Sequence, residues 1–188
     1  MARAKAKTRS GSKDGKGDAI ALLKADHRQV EEWFEQFEKA RDEGRKQDLA
    51  ARICKALKVH TTIEEEIFYP AFLEASDDVD IHHEAEIEHR GAKNLISEIE
   101  ASSPNDDYFE PSVKVLSEMI KHHVKEEEKP GGMFAVARES KMDLVALGEE
   151  LAARKAELES GEADEPDVPP PGVGEKRGQV DRLMKETR

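Results

Sequence analysis

Apolar residues recur along most of the chain at alternating steps of three and four, the pattern of helices with one buried face. The first stripe follows Asp18, a residue type that caps helix starts, and Pro70 predicts a kink or break late in the second. Between the third and fourth stripes lies a dense cluster of turn-forming residues. The four stripes cover about residues 18–44, 46–74, 79–101 and 109–128.

A further helix is predicted over about residues 134–159, either continuing the fourth helix past a kink or packing outside the bundle. Residues 1–17 are basic and lack apolar periodicity, which predicts a disordered arm. Residues 160–188 are polar and rich in proline, which predicts an extended or disordered tail. We therefore predict one domain over residues 18–159. Its expected fold is all-α, an antiparallel up-down-up-down four-helix bundle with an additional C-terminal helix.

Composition supports solvated helices, because 38% of residues are charged and 37% are hydrophobic. The net charge of -12 argues against a specific nucleic-acid partner and against attraction to anionic membranes. The single Cys54 excludes an internal disulfide, fits a reducing compartment, and is expected to be a small buried residue. The chain shows neither a membrane span nor the apolar core of a secretion signal. We expect a cytoplasmic protein and favour a monomer.

Each of the four stripes carries one histidine, and two stripes carry a glutamate four residues later, on the same helical face. These six polar residues are His27, His60, Glu64, His89, His123 and Glu127. A buried carboxylate must be paired, protonated or bound to a metal, and no lysine or arginine occupies a matching stripe position. The pattern therefore predicts a metal site in the bundle core, and two carboxylates can bridge two metals. Imidazole and carboxylate donors suit iron, zinc or manganese.

The fourth stripe allows two registers, because His122 and Glu126 are spaced like His123 and Glu127. The apolar positions before them favour His123 and Glu127 as the inward pair. We expect the neighbouring acids to form a solvated face, namely Glu65, Glu66, Glu126 and Glu128.

The segments ADHRQVEEWF, VHTTIEEEIFYPAF, EIEHRGAKNLISEI and IKHHVKEEE resemble the four helices of the hemerythrin-like family, also called the HHE cation-binding domain. The resemblance covers about residues 18–140. It implies a four-helix bundle with a non-haem di-iron centre, two iron ions joined by carboxylate and oxo bridges. Matched position by position, it implies as ligands His27, His60, Glu64, His89, His123 and Glu127. In that family pattern Glu64 and Glu127 would bridge the two ions.

The sequence departs from the oxygen-carrying branch of that family at the third helix. Where that branch has a second histidine, Ala85 stands four residues before His89, and Glu86 or a water could take its place. His82 is expected to have a surface or loop role. Residues 129–132 replace an apolar segment and are predicted to open one end of the pocket.

Three functions remain open from the sequence. The first is a di-iron protein that binds dioxygen, nitric oxide or peroxide for sensing, storage or stress protection, rather than reversible oxygen transport. The second is a di-iron enzyme that reduces peroxide or nitric oxide, with Tyr69 as a nearby redox or proton donor. As a packing residue, Tyr69 would instead place its hydroxyl at the rim. The third is a metal-free helical interaction module with structural histidines.

Overall fold

The structure, a computed structural model, describes residues 17–76 and 78–161. In chain order, the described residues form α1 (Ala19–Lys39), α2 (Glu43–Ile63), a π-helical turn (Glu64–Phe68), α3 (Tyr69–Ala75), α4 (Val79–Glu100), α5 (Phe109–Glu128), α6 (Met133–Glu139) and α7 (Leu144–Ser160). The all-α fold predicted from the sequence is confirmed. The predicted arm over residues 1–17 and the tail over residues 160–188 lie almost entirely outside the described residues.

Helices α1, α2, α4 and α5 form the predicted four-helix bundle. Helix α1 packs on α2 and α4 packs on α5, while α2–α4 and α1–α5 contacts join the two hairpins. The side chains of Asp18 and Asp42 accept hydrogen bonds from backbone N–H groups in the first turns of α1 and α2. The predicted end of the first helix near Gly44 is wrong, because the Asp42 cap starts α2 at Glu43.

The predicted break at Pro70 takes the form of the π-helical turn that precedes it. Proline has no N–H to donate and its ring clashes with the carbonyl four residues earlier, so a regular helix cannot continue through it. The π turn accommodates this misfit, and the Tyr69 N–H donates to the Glu64 carbonyl five residues back. Glu64 therefore begins a turn whose register differs from that of α2.

The predicted fifth helix is two helices, and the second packs outside the bundle rather than extending α5. Helix α7 lies against α1 and α2, while α6 packs on α5. A Cβ on Gly148 of α7 would come within 2.8 Å of the Ala19 backbone nitrogen, so this approach to α1 requires glycine. None of the described helices is long and apolar enough to cross a membrane.

The buried apolar residues form two clusters at opposite ends of the bundle. One contains Phe34, Ile53 and Leu116, and the other contains Ile20 and Phe68. Along α1, α2 and α4, the predicted inward histidine separates residues of the first cluster from residues of the second. On α5, His123 lies near the end of the first cluster, between Ile120 and Val124. The polar residues thus form a layer between two apolar ends that exclude water.

Candidate metal centre

The six inward-facing residues predicted from the sequence converge in this central layer. None exposes more than 4% of its surface: they are His27, His60, Glu64, His89, His123 and Glu127. Charged and polar side chains are this deeply buried only when they have partners of their own. The layer is therefore a site in which the polar groups serve one another or a shared ligand.

The four histidines form two close pairs. The Nε2 atoms of His27 and His60 lie 3.0 Å apart, and those of His89 and His123 lie 3.3 Å apart. Each pair joins one histidine from each helix of a hairpin, α1 with α2 and α4 with α5. Two imidazole nitrogens at this distance need a proton or a cation between their lone pairs.

The two glutamates connect these histidine pairs. Glu64 Oε2 lies 3.2 Å from His60 Nε2 and 3.4 Å from His89 Nε2. Glu127 Oε2 lies 3.5 Å from His27 Nε2 and 3.6 Å from His123 Nε2. Each carboxylate therefore contacts one histidine of each pair, so that Glu64 could serve as a shared ligand with either pair of imidazoles.

The carboxylate oxygens of Glu64 and Glu127 are buried without a hydrogen-bond partner among the described residues. Leaving charged acceptors in this state costs folding free energy, and a cation offsets that cost directly. Two histidine pairs with two shared carboxylates also provide the nitrogen and oxygen donors that iron, zinc and manganese accept. The donor set and the orphaned oxygens both fit a bound metal.

A second set of carboxylates, the outer carboxylates, faces the opposite nitrogen of each imidazole. Hydrogen bonds of 2.8–3.0 Å join three Nδ1 atoms to acids, and the fourth Nδ1 lies 3.6 Å from its acid. The pairs are His27 with Glu128, His89 with Glu65, His123 with Glu88, and His60 with Asp26. An acid at Nδ1 holds the proton there and leaves the Nε2 lone pair directed inward. The outer carboxylates therefore orient the rings of His27, His89 and His123 with Nε2 toward the centre, while Asp26 faces His60 without a hydrogen bond.

The expectation that Glu65 and Glu128 belong to a solvated face is wrong. Their side chains are 34% and 17% exposed and bind ring nitrogens. Glu66 does lie at the surface, where it pairs with Arg154 of α7 at 2.7 Å. Every outer carboxylate is adjacent in sequence to one of the six buried residues, and this adjacency is the signal that could have identified them.

The register of the fourth bundle helix is the one favoured by the apolar stripe. His123 and Glu127 point inward, whereas the His122 side chain is 58% exposed and lies 3.2 Å from Glu88 Oε1. The alternative inward pair with Glu126 is not formed, because Glu126 pairs with Lys129 on the surface.

Burial and mutual charge shift the ionisation of the central residues. Burial, together with the charge of His60, lowers the pKa of His27 to about 4. Burial would lower the pKa of His89, but Glu64 and Glu65 outweigh it and raise that pKa to about 9. Burial, reinforced by the negative charge of Glu64, raises the pKa of Glu127 well above its ordinary value. Burial would raise the pKa of Glu64, but the charges of His60 and His89 outweigh it and lower that pKa to about 2. Glu64 and Glu127 therefore both ionise readily only when a cation lies with them.

A small cavity lies where the oxygen-carrying branch would have its additional histidine. Ala85 lines this cavity, of about 30 Å³, together with His123 and Glu127. That volume accommodates one or two water-sized molecules. Glu86 does not fill the position, since its side chain is 53% exposed. Lys129 and Gly132 also line the cavity, so the segment 129–132 borders it, while the opening of the pocket by this segment stays a prediction.

Two aromatic residues beside the site differ from expectation. The Tyr69 hydroxyl is not at the rim: the residue is 1% exposed and its oxygen lies 3.1 Å from His89 Nε2. Burial, reinforced by the charge of Glu64, raises the Tyr69 pKa well above its ordinary value, so the phenol keeps its proton. The expected surface or loop role of His82 is also wrong. His82 lies in α4, is 9% exposed, and packs edge-on against the Tyr69 ring.

Comparison with known proteins identifies related chains. The family model described as Hemerythrin HHE cation binding domain matches residues 18–130. A protein named DNA nickase from Nostoc sp. is 28% identical over 120 residues, which are 62% of this chain and 32% of that protein. The chain thus spans about a third of that relative's length. A crystal structure of a hemerythrin HHE cation binding domain-containing protein from Mycobacterium kansasii superposes with a TM-score of 0.66 at 23% identity. The match covers 77% of this chain and 89% of that one and supports the fold.

Proposed function

Since the chain belongs to the hemerythrin HHE cation-binding domain family and is a metal-binding helical protein, we propose that it is a non-haem di-iron protein. Its proposed ligand is dioxygen or a related small molecule such as nitric oxide or peroxide. The proposed role is sensing, storage or stress protection.

The observation that carries this proposal is the connectivity of Glu64 and Glu127. Each contacts one histidine of each pair, and each has buried oxygens without a hydrogen-bond partner among the described residues. Each proposed ion would then be held by the two imidazoles of one pair and by both carboxylates, and coordination positions would remain free for a small ligand. The same orphaned oxygens argue against the metal-free interaction module, in which the neighbouring histidines alone would have to compensate their burial.

Iron bound to these residues would supply open coordination positions and a change of oxidation state for small-ligand chemistry. The protein side chains supply orientation and exclusion of water. The outer carboxylates hold the imidazole rings, and the Phe134 ring stacks on His27 with centroids 5.8 Å apart. The cavity beside Ala85 gives room for a ligand of a few atoms next to His123 and Glu127.

Reduction of peroxide is a second candidate function, favoured by the position of Tyr69. Its protonated hydroxyl lies 3.1 Å from His89 Nε2, inside the apolar end of the bundle. A phenol in this place can donate a proton to a ligand bound beside His89. Tyr69→Phe would remove the proton and keep the packing.

Ligand binding by the iron-loaded full chain tests the proposal. We expect nitric oxide, added without oxygen, to change the optical spectrum with saturable binding, and Glu64→Ala to abolish that change. A spectrum that is indifferent to nitric oxide, dioxygen and peroxide would overturn the proposed ligand class. Slower peroxide consumption in Tyr69→Phe, with unchanged nitric oxide binding, would favour the enzymatic role over binding alone.

A further inference from the structure

Three side chains near the start of α4 form a cluster outside the six-residue centre. His82 and His83 precede Glu86 by four and three residues, so a helix places both imidazoles beside the carboxylate. One nitrogen from each histidine and one oxygen of Glu86 all lie within 4.8 Å of one another. No part of the proposed di-iron function uses these residues.

The spacing in this cluster fits a shared cation better than direct pairing. His82 Nε2 lies 3.8 Å from Glu86 Oε1, beyond hydrogen-bond distance. Donor atoms at about 2.0–2.2 Å from one tetrahedral ion are separated by about 3.4 Å, so a small adjustment brings both onto a metal. Two imidazoles and one carboxylate match the ligands of zinc sites that keep one open position.

The first ligand of the cluster is already held in place. His82 is 9% exposed, and its ring packs on Tyr69 with centroids 5.4 Å apart at an angle of 84°. Its Nδ1 is buried with no hydrogen-bond partner among the described residues. Because burial and packing on Tyr69 already fix the His82 ring, the side chain loses little conformational freedom when it binds an ion. His83 and Glu86 are exposed, so an ion can reach them from solvent.

The local charge attracts cations. Residues 74–89 include seven aspartates and glutamates and no lysine or arginine. This negative segment raises the local concentration of cations and opposes the positive end of the α4 dipole.

We propose that His82, His83 and Glu86 form a second, surface site for a divalent first-row transition ion, with Zn²⁺ as the best-fitting ion. The three side chains bind the ion and water completes its coordination. Tyr69 separates this site from the core, because its ring contacts His82 and its hydroxyl lies at His89. The proposal does not rest on the identity of the core metal.

Zinc and cobalt titration of the full chain with its core metal in place tests this site. Calorimetry should show about one equivalent of Zn²⁺ bound beyond the core ions, and Co²⁺ should give the visible absorption of a four-coordinate site. His83→Ala and Glu86→Gln should each remove that equivalent while the core metal content stays unchanged. His122→Ala is the matched control, because it removes an exposed histidine elsewhere and should keep the equivalent.

Two results would overturn the surface site. One is a wild-type chain that binds no Zn²⁺ beyond its core ions. The other is equal binding in His83→Ala and His122→Ala, which would place the ion elsewhere. Core metal content is measured separately in every variant, so failure of the core proposal is distinguishable from failure of this one.

Discussion

Replacing Glu127 by glutamine removes one buried ionisable group from the candidate metal centre and keeps the shape of the side chain. Glu127 is 3% exposed, and its Oε2 lies 3.5 Å from His27 Nε2. Glu128 holds the His27 proton on Nδ1, so that Nε2 presents a lone pair to the carboxylate. A glutamine amide can donate to such a lone pair at any pH, whereas the carboxyl group of Glu127 can donate only when it is protonated. The substitution should therefore act in opposite directions in the metal-free and metal-loaded protein.

In the metal-free protein the substitution should be stabilising. Near neutral pH the carboxyl group of wild-type Glu127 either is held protonated above its ordinary pKa or remains charged and unsatisfied, and either state costs on the order of 1–3 kcal/mol or more. For a chain of this size, each kcal/mol shifts the melting temperature by about 2–4 °C, so we expect an increase of about 2–12 °C near neutral pH.

The pH dependence has a defined sign. Burial and Glu64 raise the folded-state pKa of Glu127 well above the ordinary 4.5. A raised pKa contributes stability that is complete below the unfolded value and is lost as pH rises through the folded value. The metal-free wild type should thus lose this contribution of Glu127 as pH rises above about 4.5, whereas the variant, whose glutamine does not titrate, should not lose it.

In the metal-loaded protein, wild type should melt at a higher temperature than Glu127→Gln. An ion present at about 1,000 times its dissociation constant stabilises the folded state by about 4 kcal/mol, or about 8–16 °C here. Glu127 contacts one histidine from each pair, so its loss should weaken the binding of both proposed ions. We expect the variant to lose most of this stabilisation.

Calorimetric melting of both proteins, with and without metal and between pH 5 and pH 8, measures all of these effects. Glu118→Gln is the matched control, since Glu118 is an exposed residue of the same helix. A metal-free variant that melts below metal-free wild type at pH 8 would refute the electrostatic reasoning. Undiminished metal stabilisation in the variant would refute its role as a ligand.

Three other predictions concern the surroundings of the site. Glu88→Gln should lower metal affinity about 10–100-fold in equilibrium dialysis, because the substitution loosens the hold on the His123 ring. An unchanged affinity would show that Glu88 does not orient His123 for metal binding. Burial raises the pKa of the Cys54 thiol to about 12, so a thiol reagent at pH 8 should label it only after unfolding, and rapid labelling of the native protein would contradict its burial. Gly148→Ala should cost about 1–3 kcal/mol in urea unfolding, because its Cβ meets the Ala19 backbone, and equal stability would argue against close packing of α7 on α1.

The convergence of the six central residues was predictable because each lies in phase with an apolar stripe. Helical periodicity fixes which residues share a face, and a four-stripe bundle has one interior, so His60 and Glu64 must point into it. The same reasoning distinguished His123 from its exposed neighbour His122. Helical phase alone therefore located the centre.

The outer carboxylates could not be located in this way. Glu65 and Glu128 lie just off the buried stripe, and their flexible side chains reach back to ring nitrogens on other helices. That contact depends on how helices sit against one another, which periodicity within one helix does not contain. The sequence pattern therefore wrongly predicts a solvated face for Glu65 and Glu128.

The π-helical turn explains the errors at Tyr69 and His82. A π turn holds more residues than an α turn, so residues beyond it are rotated from the phase that α2 predicts. Tyr69 follows this turn and is directed into the site, where its ring gives His82 a buried packing partner. A break at Pro70 was predictable from the sequence, but the direction of the chain after it was not.

Metal analysis of the full chain purified from iron-replete cells tests the central claim most directly. The connectivity of Glu64 and Glu127 predicts about two iron ions per chain, with near-ultraviolet absorption typical of an oxo-bridged pair. His60→Ala should reduce that content. Protein without bound iron, or with the same iron content in wild type and His60→Ala, would contradict the di-iron centre.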